Sequence, residues 1–187
     1  MNFNKHYDLR GEHAFLSASK YHWLNYSEDK ITDAYRKFLA IQQGTVLHDF
    51  ARQCIDLRQK LPKSKKSLNC FVNDAIGFRM STEQPLFYSV NAFGTADAIC
   101  FRDETLRIHD LKTGVSPVSM RQLEVYAALF CLEYKIEPTK INIELRIYQS
   151  DEILVHKPER EEIREIMEKI IFFNKRIEQI KADEMED

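Results

Sequence analysis

Six side chains in this sequence have types and spacings that could do chemistry: two carboxylates, a lysine, a glutamine, a tyrosine and a histidine. The run "LRIHDLKTGVSP" sets Asp110 and Lys112 either side of Leu111 inside an apolar, β-prone stretch. Strand periodicity of two puts Asp110 and Lys112 on one face and Leu111 on the other. Upstream, "GTADAICF" carries Asp97. If the two runs form a hairpin with its tip between Asp103 and Glu104, Asp97 stands opposite Asp110. Directly opposed residues have Cβ atoms about 4.5–5.5 Å apart, so like charges there are destabilising unless a cation intervenes. Two carboxylates, with waters, phosphate oxygens and a backbone carbonyl, that of Leu111, make the incomplete oxygen shell that Mg²⁺ or Mn²⁺ accepts. Such a metal lowers the pKa of a bound water and polarises a phosphodiester. Lys112 could orient that water or stabilise charge growing on the phosphorus centre. An Asp-x-Lys pair alone is more often a strand-end salt bridge.

Gln122 and Tyr126, in "RQLEVYAALF", are four apart and share a helical face just after the lysine strand. They could contact a phosphate or the attacking water, or be a polar pair facing solvent. His48, in "QQGTVLHDFA", could add a metal ligand or a phosphate contact, although a lone histidine is more often structural.

The elements that must position these groups follow from periodicity and punctuation. A short helical segment is expected around "SASKYHWLNYS", then a long helix over 32–60 with Phe38, Ile41, Val46, Phe50, Cys54 and Leu57 as its apolar stripe and Gly44 as an interruption. "KLPKSKKS" breaks it, and a brief helical patch near "NDAIGFRM" leads into a meander over 86–91, 93–101 and 105–112. Ser116 followed by Pro117 reads as an N-cap and first helical position, predicting a helix from there to Tyr134, closed by Pro138. "KINIELRIYQ" points Ile141, Ile143, Leu145 and Ile147 inward, with "EILVHK" as its hairpin partner. The last segment, 158–187, is a helix with Ile163, Ile166, Ile170, Phe173, Ile177 and Ile180 on one stripe. The order implies a mixed α/β domain with its sheet covered by helices.

The chain has 187 residues, 44% of them hydrophobic, enough for one domain with a core. With 27 basic against 29 acidic residues it is no polycation, so any grip on a polyanion must be local. Lys60, Lys63, Lys65 and Lys66, on a segment expected to be flexible, offer such a patch, or merely a solvated loop. Four cysteines without a Cys-x-x-Cys pair fit neither a disulfide framework nor a zinc site. The opening residues lack a signal-peptide core, and no long apolar run occurs, so a cytoplasmic location is expected.

Five blocks in order, "HAFLSASKYHWLN", "QGTVLH", "GTADAI", "IHDLKTG" and "QLEVYA", together resemble the RecB-like and phage-type branch of the PD-(D/E)XK nuclease superfamily. The resemblance spans most of the chain. It implies a single nuclease domain over 1–187 with a restriction-endonuclease-like core, a central mixed sheet flanked by helices. It assigns His48, Asp97 and Asp110 to metal, Lys112 to catalysis, and Gln122 and Tyr126 to supporting the site or gripping DNA. Thr113 and Gly114 complete the family's turn. Glu83 falls where relatives often carry an acid ahead of the meander, though a structural role is the weightier reading. Relatives that bind an iron–sulfur cluster have a cysteine where this chain has Tyr26 in "WLNYS" and three more near the end. No cysteine follows Cys131 here, so no cluster is expected. The implied activity is Mg²⁺- or Mn²⁺-dependent hydrolysis of DNA, as a non-specific exonuclease acting on ends or single strands in phage or prophage recombination. A recombination or annealing protein is the implied partner. A sequence-selective endonuclease and a catalytically idle DNA-binding or protein-interaction module remain the alternatives.

Overall fold

The computed structural model describes residues 14–185. Residues 1–13 of the expected N-terminal segment and the last two residues of the expected C-terminal helix lie outside them. The chain divides into two compact units, Met1–Thr45 and Val46–Asp187. In the first, a 3₁₀ segment Ala18–Asn25 precedes the start of α1 (Glu28–Asp56), and the Trp23 indole N–H donates to the Ser17 carbonyl at 3.0 Å. Phe15 meets Tyr35 edge-on there, with centroids 5.0 Å apart.

The second unit is mixed α/β. After the end of α1 come α2 (Ser67–Gly77), β1 (Ser81–Ser89), β2 (Ala92–Arg102), β3 (Thr105–Leu111), α3 (Arg121–Tyr134), β4 (Asn142–Gln149), β5 (Glu152–His156) and α4 (Arg160–Met185). The five strands lie in the order β1-β2-β3-β4-β5. Only β3 and β4 run parallel, joined across the sheet by α3; the other pairs are antiparallel. Asp103 and Glu104 both take left-handed φ, 47° and 53°, as a two-residue turn matched to strand twist demands.

Helices cover both faces of the sheet, so β3 is buried on both sides. Leu106 and Ile108 join Ile143, Leu145 and Ile147 of β4 under Leu123 and Ala127 of α3 and Ile163 of α4. Leu111, with Tyr148 and Ala98, packs instead against Ala51, Cys54 and Ile55 of α1 and Phe71, Val72 and Ala75 of α2. His109 shares that second face. It is fully buried, its Nδ1 lies 3.2 Å from the Tyr148 hydroxyl, and Tyr148 donates to Asp74 at 2.8 Å. Burial, reinforced by Arg146 and Arg107, pushes the imidazole pKa down to about 3, so His109 is neutral in the folded protein.

Three expectations need correction. α3 begins at Arg121, not at Ser116, because the Gln149 amide donates to the carbonyls of Gly114 at 2.6 Å and Ser116 at 3.0 Å. The Ser116 carbonyl, as that of the expected cap, would otherwise accept the first helical bond, and the chain stays an irregular turn until Ser119 Oγ accepts the Arg121 N–H at 3.2 Å. On α1, Val46 and Phe50 are exposed, as is Leu57 just past its end, and the buried face in this unit is Ala51, Cys54 and Ile55, a stripe partly made of small residues. Gly44 lies inside the helix without ending it. On α4, Ile163 is buried but Phe173, Ile177 and Ile180 are exposed. At 26 residues the helix runs about 39 Å and outreaches the sheet it covers. Its second half is held to the β1–β2 turn by polar contacts, Ser89 Oγ to Asn174 Oδ1 at 2.6 Å and Lys181 Nζ to Asn91 Oδ1 at 2.6 Å.

All four cysteines are free thiols. Among the described residues, no helix is long and apolar enough to cross a membrane.

The two halves of this packing differ in cost. Leu145→Ala should lose about 2–5 kcal/mol in denaturant unfolding, whereas Ile180→Ala should stay within about 0.5 kcal/mol. An equal loss at both positions would contradict the exposed second half of α4.

Candidate functional site

The hairpin register is the one that the sequence implies. Arg102 pairs with Thr105, and the ladder continues to Ala98 opposite His109, so the next step sets Asp97 against Asp110. There the backbone ladder yields to a side chain: the Leu111 N–H donates to Asp97 Oδ2 at 3.0 Å. Leu111 thus meets the site through its N–H, while its side chain points to the opposite core.

Asp110 carries the charge of β3 to the end of the strand, with its side chain 3% exposed. The Lys112 ammonium donates to Asp110 Oδ1 at 3.1 Å and to Gln122 Oε1 at 2.9 Å. It also lies 3.0 Å from Oδ2 but is not aligned for a hydrogen bond, so that buried oxygen has no donor. The Gln122 amide in turn donates to the Tyr126 hydroxyl at 2.9 Å. A continuous chain, Asp110 to Lys112 to Gln122 to Tyr126, therefore crosses from β3 to the first turns of α3.

His48 enters from α1, one turn ahead of the buried Ala51 and two ahead of Ile55. Its Nδ1 lies 3.4 Å from Asp97 Oδ2, again without hydrogen-bond alignment. The six side chains singled out by type and spacing all reach this end of the sheet. His48, Asp97 and Asp110 do not bring their donor atoms within 4.8 Å of one another as a trio, so gathering them on one ion takes side-chain rotation.

Burial first and the neighbouring Asp110 second push the Asp97 pKa up to about 6, against the lowering effects of the Leu111 N–H and His48. A third acid adds to it. The β1–β2 register sets Glu83 opposite Asp97, between the pairs Thr82–Ala98 and Gln84–Ala96. Glu83 has φ of 46°, a left-handed conformation inside a strand that costs a non-glycine residue about 1–3 kcal/mol. Nothing in its local sequence signals this; running the hairpin register one strand further would have found the position.

Gly94 is needed for a different reason. A Cβ there would lie 2.8 Å from Tyr126 Cε1, so its absence lets the ring pass against β2. Lys60, Lys63, Lys65 and Lys66 are exposed on the segment before α2, and no ion pair holds them among the described residues. The segment is not loose: Leu61 and Asn73 exchange two hydrogen bonds at 2.9 and 3.0 Å, and Asn69 donates to the Pro62 carbonyl at 2.8 Å. None of these lysines touches the Asp110–Lys112 cluster.

Residues 79–171 match a family described as "Protein of unknown function (DUF2800)". The matched stretch contains Glu83, Asp97, Asp110, Lys112, Gln122 and Tyr126, whereas His48 precedes it. No curated protein and no solved structure matches the chain.

Two outcomes follow from these contacts. Because the folded state holds the Asp97 proton more tightly than the unfolded chain does, this group lowers stability as pH rises from about 4 to 6. His109 acts in the opposite sense, since an imidazole held neutral costs stability as pH falls below its ordinary pKa. Comparing the wild type with Asp97→Asn cancels His109: without metal, the variant should be more stable at pH 7 by on the order of 2 kcal/mol, and the gap should close towards pH 4. A gap independent of pH would refute the assignment. Gly94→Ala should cost about 1–3 kcal/mol through the clash with Tyr126, and combining it with Tyr126→Ala should give less than the sum of the single losses.

Proposed function

We propose that this protein is a metal-dependent DNA nuclease of the PD-(D/E)XK kind that hydrolyses phosphodiester bonds. The observation that carries the reading is the meeting of Asp97, Asp110 and Lys112 at the end of β3, with one buried Asp110 oxygen lacking any hydrogen-bond donor. A buried carboxylate oxygen is ordinarily satisfied. Beside it, Asp97 has a proton affinity raised first by burial and then by the Asp110 charge, both of which a bound cation would offset. The oxygens of Asp97, Asp110 and Leu111, completed by waters and phosphate, suit Mg²⁺ or Mn²⁺, and the single His48 nitrogen leans the set towards Mn²⁺. Asp97 and Asp110, with His48 and the Leu111 carbonyl, would hold the ion. Bound there, it would acidify a coordinated water and polarise the scissile phosphate.

The chain's own groups supply the rest. Lys112 keeps its ammonium at the mouth of the acid pair because Asp110 and Gln122 each accept a hydrogen bond from it. Held so, it can stabilise charge that grows on the phosphate oxygens. Tyr126 locks Gln122, and Gly94 makes room for Tyr126. Lys60, Lys63, Lys65 and Lys66 offer a sequence-independent grip on a DNA backbone. Action on ends or single strands in the cytoplasm, in phage or prophage recombination alongside a recombination or annealing protein, belongs to the same reading.

Labelled linear duplex, single-stranded and circular DNA, incubated with Mg²⁺, Mn²⁺ or EDTA, tests it. Progressive degradation of linear DNA with either ion and none with EDTA is expected, and Asp110→Ala and Lys112→Ala should each lose at least about 100-fold. Discrete fragments from circular DNA would favour an endonuclease. Binding without cleavage under every condition would leave an idle binding module in its place.

A further inference from the structure

A second convergence of metal-binding side chains lies away from the acid pair. Glu124 is two residues from both Gln122 and Tyr126 and so sits about 160° around α3 from them. It is 5% exposed. Its Oε2 accepts from Arg121 Nη1 at 2.8 Å, and its Oε1 faces Nε2 of His156, the last residue of β5, at 3.3 Å. Glu162, in the first turn of α4, completes the group: one donor atom from each of the three lies within 4.8 Å of the others. Among the described residues no other histidine, cysteine or acid trio gathers so closely.

The 3.3 Å contact discriminates between two explanations. A charge-assisted hydrogen bond between imidazolium and carboxylate would bring nitrogen and oxygen to about 2.7–2.9 Å, and these atoms are neither that close nor aligned for one. Two ligands about 2.0–2.1 Å from a tetrahedral ion lie about 3.3–3.4 Å apart. The outer oxygen of Glu124 is already tied to Arg121, which turns Oε1 inward as groups behind metal ligands commonly do. Glu162 uses Oε2 to accept the Glu159 N–H at 3.2 Å, and no hydrogen bond occupies its Oε1 among the described residues.

We propose that Glu124, His156 and Glu162 form a binding site for a borderline transition-metal cation, Zn²⁺ being the probe of choice. One imidazole nitrogen and two carboxylate oxygens suit zinc, with a water as fourth ligand, better than they suit the all-oxygen shells of magnesium or calcium. The ion would tie the first turn of α3, the end of β5 and the first turn of α4 together. The site stands whether or not the acid pair cleaves DNA.

The test uses the full chain carrying Asp97→Asn and Asp110→Asn, so that the acid pair cannot compete. Calorimetric titration with Zn²⁺ should show one saturable equivalent, and thermal unfolding should rise by several degrees when Zn²⁺ is well above its Kd. Adding His156→Ala or Glu162→Gln, both at partly exposed positions, should weaken binding at least tenfold and abolish the thermal shift. Co²⁺ should give d–d absorption without a thiolate charge-transfer band. Absence of saturable binding, binding unchanged by both substitutions, or a thiolate band that assigns the ion to a cysteine would each overturn the proposal.

Discussion

Asp97 and Asp110 bring like charges to the end of a largely apolar sheet, and the surrounding contacts answer that repulsion. The Leu111 N–H abandons the backbone ladder to meet Asp97, Lys112 turns back on Asp110, and His48 leans in from α1. None of these contacts fully compensates the pair: Asp97 retains its affinity for a proton, and one oxygen of Asp110 has no donor. The left-handed Glu83 opposite Asp97 adds to the same account, since strain and surplus charge both gather at this spot. Strain and an unsatisfied buried charge gathered at one spot are what a site kept for a ligand looks like.

Rigidity around that corner comes from elements with no chemistry of their own. β3 is pinned between two cores, one under α3 and α4 and one under α1 and α2, so Asp110 has little freedom to retreat. Gln149, from the end of β4, clasps the turn after Lys112 and delays the start of α3 until Arg121. That delay determines where Gln122 and Tyr126 stand relative to the lysine. Positioning thus depends on a glutamine whose own neighbourhood in the sequence gives no hint of it.

What could be read from the sequence was whatever depends on short-range pattern. The alternation in "KINIELRIYQ" and the paired runs around Asp103 and Glu104 encode strand and register locally, and the structure keeps both. The helix starting at Ser116 failed because a cap-and-proline signal says nothing of a distant amide that takes the carbonyls first. The α1 stripe failed because large residues were counted and Ala51 was not, though a small residue packs closely wherever a helix lies on a sheet. Glu124, His156 and Glu162 were invisible for a similar reason. They come from three elements with no common spacing, and only the packing of α3, β5 and α4 brings them together.

The turn at Asp103–Glu104 has a consequence beyond joining two strands. Because alternate residues of β3 face different cores, the length of that turn sets the phase of the whole strand. Inserting one residue into it would deliver the neutral imidazole of His109 to the place now held by Asp110 and drive a carboxylate into the core beside Tyr148. The chemistry at one end of β3 is therefore timed from the other, by two left-handed residues at the opposite end of the strand.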